Sequence, residues 1–188
     1  EPVSGERKFL PHDPDAALAA LVFKVVMEGG RKLAYLRIYS GSLQEGEAVL
    51  NMTAGKEERI TRLFRMHADH KEQVSVVYAG QIVAASGLKL ARTGDTLATT
   101  QDRIVLEQIG KYRPVISLGL EPKSQDQAEK LEEALGRFLM EDPTLSLERD
   151  KETDQLVISG MGELHLEVVL ERLKREYGVE PRSGKPQV

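Results

Sequence analysis

Up to residue 112 the apolar positions alternate with polar ones at a period of two, interrupted by glycine-bearing turns. From residue 113 two long segments take helical spacing among short strands. The change of period predicts a β domain over 1–110 and an α/β domain over 111–188. Leu33 to Ser40 is a half-buried strand, with Ala34, Leu36 and Ile38 on one face and Tyr35, Arg37 and Tyr39 on the other. Ser40-Gly41-Ser42-Leu43-Gln44-Glu45-Gly46 then turns the chain into a second run, Glu47 to Met52. Further strands are expected at Leu21 to Val26, Glu58 to Met66, Gln81 to Ala85 and Arg103 to Leu106. Many short strands between glycine turns predict a closed antiparallel barrel, which removes exposed edges.

In the second half Ile116, Leu118 and Leu120 alternate until Pro122 removes a ladder donor. Ser124 to Gln127 fits a capping box, and Ala128, Leu131, Leu135 and Phe138 form one helical stripe that ends at Asp142-Pro143. Leu145 and Leu147, then Leu156 and Ile158, alternate on either side of the polar turn 150–154. A second helix from Gly162 or Glu163 carries Leu166, Leu170, Leu173 and Tyr177 and stops at Gly178; a last strand is expected from Arg182 to Val188. The order βαββαβ is the ferredoxin-like arrangement.

Charge alters this picture only locally. Lys plus Arg minus Asp plus Glu is 26 − 30 = −4 over 188 residues, which does not suggest a nucleic-acid binder as a whole. Through Tyr112 the balance is 15 − 14 = +1, and from Arg113 it is 11 − 16 = −5, so any polyanion contact belongs to the first half. There is no cysteine, which excludes disulfides, thiolate metal sites and a cysteine nucleophile and fits a cytoplasmic setting. The longest apolar run, Ala16 to Phe23, is too short to cross a bilayer. A first residue Glu1 and a terminal Gly184-Lys185-Pro186-Gln187-Val188, resembling an interrupted strand entry, suggest a segment of a longer polypeptide.

The segment from Lys56 to Lys71 concentrates Lys56, Arg59, Arg62, Arg65 and Lys71. On one continuous strand Arg59 and Arg65 share a face and could offer a basic stripe to phosphates. Composition alone favours a solvated face, its charge offset by Glu57, Glu58 and Asp69. His67-Ala68-Asp69-His70 lacks the further ligands a metal site needs. Gly184-Lys185 looks like the end of a phosphate loop, but Val179 stands where its first glycine belongs and Pro186 replaces the Ser or Thr. Gly160-Met161-Gly162 begins a dinucleotide fingerprint that His165 ends. His165, between Glu163 and Glu167, has no visible orienting partner and reads as an interface histidine. The third strand of the second domain carries no aromatic, which disfavours a base-stacking RNA reader.

The run Ile158-Ser159-Gly160-Met161-Gly162-Glu163-Leu164-His165-Leu166-Glu167-Val168 resembles bacterial elongation factor G, the translocation GTPase, over its second and third domains. Supporting matches follow in order, among them Arg37-Ile38-Tyr39-Ser40-Gly41, Met66-His67-Ala68-Asp69-His70, Gly94-Asp95-Thr96-Leu97, Glu141-Asp142-Pro143-Thr144 and Gly184-Lys185-Pro186-Gln187-Val188. Two departures stand out: the short Glu28-Gly29-Gly30-Arg31-Lys32 in place of Asp-Pro-Phe-x-Gly-Lys, and Ala17 where proline is common.

The resemblance implies a ribosome-binding and coupling segment of a factor that promotes GTP-dependent movement of tRNA and mRNA, with no catalytic residue, cofactor or metal of its own. GTP and magnesium would belong to an absent GTPase domain. It implies rRNA contacts at Lys56, Arg59, Arg62 and Arg65, and an interdomain interface at Gly160, Met161, Gly162, Glu163 and His165. Expected partners are the ribosome, small-subunit rRNA and ribosomal protein, and the missing GTPase and C-terminal domains, in a monomer with no membrane attachment. The barrel would fix the factor on rRNA while the smaller domain reorients with nucleotide state, and that domain would lie beside the fusidic acid pocket. Alternatives are a tetracycline-resistance ribosomal protection protein, a stand-alone RNA-binding adaptor, and a small enzyme using His165.

Overall fold

A computed structural model describes residues 9–67, 70–99, 104–106 and 114–186. The chain divides into two compact units, Glu1–Ile109 and Gly110–Val188. The first holds β1 (Ala19–Glu28), β2 (Arg31–Ser40), β3 (Ser42–Gln44), β4 (Ala48–Asn51), β5 (Lys56–Arg59), β6 (Arg62–His67), β7 (His70–Val74), β8 (Val76–Tyr78), β9 (Ile82–Ser86) and β10 (Thr96–Ala98). Eight of these form one antiparallel ladder in the order β5-β4-β10-β1-β2-β9-β6-β7, and β3 pairs with β8.

The period-two pattern of β2 is realised as read: Ala34, Leu36 and Ile38 are buried, and with Val22, Val49, Leu63, Val83 and Leu97 they fill the barrel. Among the described residues no ladder joins the end strands β5 and β7. The seam is instead bridged by backbone bonds, Glu45 N–H to the Ser75 carbonyl at 2.9 Å and Gly46 N–H to the Ile60 carbonyl at 2.9 Å. Of the expected strand Arg103 to Leu106, residues 104–106 are described and form no strand; Leu106 N–H donates to Thr96 Oγ1 at 3.0 Å. Ser42–Gln44, expected as turn, is strand β3.

The expected single strand from Glu58 to Met66 is two strands. Between them Ile60 N–H donates to the Glu47 carbonyl and Thr61 N–H to the Ser86 carbonyl, so the chain changes neighbours from β4 to β9 within two residues. Glu58 and Ile60 are buried, and the next inward residue is Leu63. The odd step reverses which face each later residue takes. Arg59 and Arg65 therefore do not share a face, contrary to the reading from an unbroken strand.

The second unit runs β11 (Ile116–Glu121), α1 (Gln125–Glu141), β12 (Ser146–Arg149), β13 (Leu156–Gly160), α2 (Glu163–Tyr177) and β14 (Arg182–Gly184), with sheet order β12-β13-β11-β14. Every pairing is antiparallel, which makes it the ferredoxin-like sandwich. Ser124 Oγ accepts from Gln127 N–H at 3.4 Å to cap α1, and Gly178, at φ 65°, closes α2. The α1 stripe buries Leu131, Leu135 and Phe138 as its spacing implied; on α2 Val169 rather than Leu170 joins Leu166 and Leu173 in the core.

Phe138 meets Tyr177 edge-on at 5.6 Å, and Arg172 stacks over Phe138 at 4.4 Å while bonding Glu141 and Glu176 at 2.9 Å each. Replacing Phe138 by Ala should lower the unfolding free energy of the 188-residue chain by about 3–5 kcal/mol in urea titrations. Just past the same C-terminal end of α2, hydrogen bonds from Lys174 at 2.7 Å and Lys123 at 3.0 Å hold the Glu180 carboxyl down at about 2. A depressed carboxyl stabilises the fold above its ordinary value of 4.5, and that contribution disappears as pH falls toward about 2. Glu180→Gln should flatten the fall in melting temperature across that interval; a decline as steep as that of the parent chain would contradict the assignment.

Candidate functional site

Five cationic side chains of the barrel converge on an open cleft of about 460 Å³ between the β1–β2 hairpin, β6 and the segment after β9. Arg31, Lys32, Arg62, Lys71 and Lys89 line it against a single carboxylate, Glu28, while the half-buried Phe64 supplies apolar surface and the buried Leu33 and Leu88 border it. Glu28 is ion-paired with Lys71. Among the described residues the side chains of Arg31, Arg62 and Lys89 have no ion-pair or hydrogen-bond partner, so three cations face the cleft uncompensated. Lys32 Nζ donates to the Lys89 carbonyl at 2.9 Å. Burial pushes the Lys32 amine below its ordinary value, and the charge of Arg92 adds to this; the Glu58 and Asp95 carboxylates oppose it without reversing it.

A buried polar hub fixes the cleft wall. Asn51 is fully buried, and Glu58 and Asp95 are 7% and 6% exposed. The Asn51 amide donates to Asp95 at 2.9 Å and Glu58 at 3.2 Å, while its oxygen accepts from Thr53 N–H at 3.1 Å and Ala54 N–H at 2.9 Å. Glu58 accepts from Leu90 N–H at 2.6 Å and Asp95 from Arg92 N–H at 2.8 Å. These bonds tie the β4–β5 turn to the 88–95 loop that carries Lys89. Gly87, at φ 100°, begins that loop, and a Cβ there would overlap the Arg59 carbonyl and Thr61.

Of the four cations expected to form one stripe, only Arg62 lines the cleft. Arg59 is turned to the Gly46 carbonyl at 3.0 Å, Arg65 lies 3.6 Å from Glu72, and Lys56 begins β5 in solvent. Glu58, expected to offset charge at the surface, is instead in the hub. Nothing in the sequence singles out Arg31, Lys32 and Lys89, because only the fold brings the β1–β2 turn beside the loop after Gly87.

His67 and His70 pair across β6 and β7, and Ala68 and Asp69 between them lie outside the described residues. No group of three or more His, Cys, Asp or Glu side chains able to hold a metal occurs among the described residues. GTP with magnesium does not fit these residues: Gly184-Lys185 leaves the sheet-edge strand β14, Pro186 has no hydroxyl, and Val179 is buried.

In the second unit Gly160, Met161, Gly162, Glu163 and His165 gather at the β13–α2 turn. Met161 N–H donates to His165 Nδ1 at 3.2 Å, so the ring proton sits on Nε2, which meets Asp142 Oδ2 at 3.0 Å. Asp142 caps α1, and its other oxygen accepts from Thr144 N–H at 2.8 Å. His165 thus has the partner that the sequence did not reveal, and the trio joins two helix ends. A Cβ on Gly160 would come within 2.9 Å of the Leu166 side-chain end and 3.0 Å of His165 Nδ1, so a larger residue there would press on both side chains. Beside it Met161, Leu164 and Val168 are 41%, 72% and 47% exposed. Leu164 and Val168 are absent from the interface set read from sequence, although their i, i+4 spacing off the buried stripe is visible there.

Long-range 15N correlation spectra should show His165 as the Nε2–H tautomer; an Nδ1–H ring would contradict the clip. His165→Ala should cost about 1–3 kcal/mol in urea unfolding, because Met161 N–H and Asp142 lose their partner.

Residues 113–185 match the family described as Elongation Factor G, domain III, and residues 31–98 match Elongation factor Tu domain 2. The chain is 51% identical over 179 residues to elongation factor G 1 of Geobacter sulfurreducens, covering 95% of this chain and 26% of that protein. It is 50% identical over 185 residues to elongation factor G of Thermotoga maritima, covering 98% and 27%. A crystal structure of a Thermus thermophilus protein superposes at a TM-score of 0.76 with 32% identity, covering 93% of this chain and 26% of that one. The chain spans about a quarter of the length of the curated relatives it matches. It belongs to the elongation factor G family, as a segment that joins a barrel of the elongation factor Tu domain 2 type to elongation factor G domain III.

Proposed function

We propose that this segment anchors a translocating GTPase on the small ribosomal subunit and couples that anchor to the rest of the factor. The observation that carries the reading is the cleft where Arg31, Arg62 and Lys89 stand uncompensated beside the half-buried Phe64. Such a surface suits an RNA backbone, whose phosphates attract clustered cations without reading sequence. The stripe expected at Lys56, Arg59, Arg62 and Arg65 thereby contracts to Arg62 and gains partners from the hairpin and the 88–95 loop. Hydrolysis of GTP belongs to other parts of the parent protein, and this segment contributes position rather than chemistry.

The coupling role rests on the β13–α2 turn. Met161, Leu164 and Val168 offer apolar area next to a turn whose backbone is held by His165 and Asp142. Another domain of the parent chain seated there would move with both helices, because the clip ties one helix end to the other. The segment acts in the cytoplasm, where ribosomes are.

Sedimentation with isolated small subunits over a series of salt concentrations tests the anchor. The double variant Arg62→Ala, Lys89→Ala should bind severalfold more weakly and flatten the log affinity against log salt by about one per lost phosphate contact. Lys56→Ala should leave both quantities unchanged. Equal binding by the double variant and the parent chain would overturn the reading.

A further inference from the structure

The cleft also holds a lysine whose setting is chemical rather than merely cationic. Lys32 is partly withdrawn from water, and its amine donates to the Lys89 carbonyl at 2.9 Å within the cleft lining. Around it Arg31, Arg62 and Lys89 are uncompensated, and the half-buried Phe64 offers an apolar face in the same cleft. An anionic head with a short apolar tail fits this combination: the cations take the head, and the tail lies toward the lysine.

We propose that Lys32 is a site of enzyme-independent acylation by acyl phosphates, with Arg31, Arg62 and Lys89 holding the phosphate while the acyl carbon faces the Lys32 amine. The ammonium first gives a proton to water. The nitrogen lone pair then attacks the acyl carbon, an N–C bond forms, and the C–O bond to phosphorus-bound oxygen breaks with its electron pair leaving on inorganic phosphate. The surplus proton on nitrogen passes to solvent, and nothing is oxidised or reduced. Two features favour this lysine over exposed ones. The free-amine fraction is raised because burial lowers its basicity even against Glu58 and Asp95, and the cations raise the local concentration of the anionic reagent.

The product amide carries no charge and keeps one N–H that can still donate to the Lys89 carbonyl. Acylation therefore removes one of the five positive charges of the cleft. If the cleft holds RNA as proposed above, the modification weakens that grip; the acylation itself does not depend on that reading.

The test incubates the 188-residue chain with acetyl phosphate and follows acetylation at each lysine by peptide mass spectrometry. Lys32 should be acetylated severalfold faster than the exposed Lys130 and Lys151. Added inorganic phosphate should slow Lys32 alone, and Arg62→Ala should slow it severalfold while Lys130 keeps its rate. With an uncharged acetyl N-hydroxysuccinimide ester, phosphate should no longer slow Lys32. Rates at Lys32 no higher than at Lys130 and Lys151, or a slowing by phosphate shared equally by all three, would overturn the proposal. No RNA enters the assay, so its outcome is independent of the anchoring role.

Discussion

A single buried amide holds the working side of the barrel in place. Asn51 sits between two carboxylates, and its removal would leave Glu58 and Asp95 facing each other in a site that admits almost no water. Buried polar groups of this kind are costly unless every member is satisfied. Here they are satisfied by backbone N–H groups of the β4–β5 turn and of the 88–95 loop that carries Lys89 into the cleft, so the chemistry that makes the hub tolerable also fixes where Lys89 stands. The excess positive charge of the cleft is solvent-facing and cheap, whereas the negative charge behind it is inside and structural.

The second unit solves a different problem with similar means. Its two helices pack through Leu131, Leu135, Phe138, Leu166 and Leu173, an apolar contact that is strong but not directional. Direction comes from two polar links that both reach the C-terminal end of α1. Arg172 spans Glu141 and Glu176 above the Phe138 ring, and His165 spans Asp142 and the β13–α2 turn. The helix ends and the turn before α2 thereby become one body, which a coupling element needs if force applied at the turn is to reach the sheet.

Much of this was legible in the sequence wherever the signal is local. The faces of β2, the Ser124 cap, the α1 stripe and the Gly178 stop follow from period and from backbone conformation. The break at Ile60 was not legible, because both halves alternate and only the change of neighbouring strand forces the odd step. The same non-locality hid the cleft: Arg31, Arg62 and Lys89 belong to three segments, and nothing in their spacing says that the β1–β2 turn folds over the loop after Gly87. Glu58 misled for a related reason. A glutamate in a charged run reads as surface, and only the fold brings Asn51 and Leu90 N–H to it. The β13–α2 turn stands between these cases, since the residues were visible as a group while the tie to Asp142 crosses 23 positions.

In the anchoring role proposed above, the cation cleft, and not the β5 face, would be the surface presented to the ribosome. Hydrogen–deuterium exchange of the chain, free and bound to small ribosomal subunits, tests it most directly. Slowed exchange over 28–33, 61–64 and 86–90 on binding is the result predicted here; slowing confined to 53–59, with those three stretches unchanged, would contradict it.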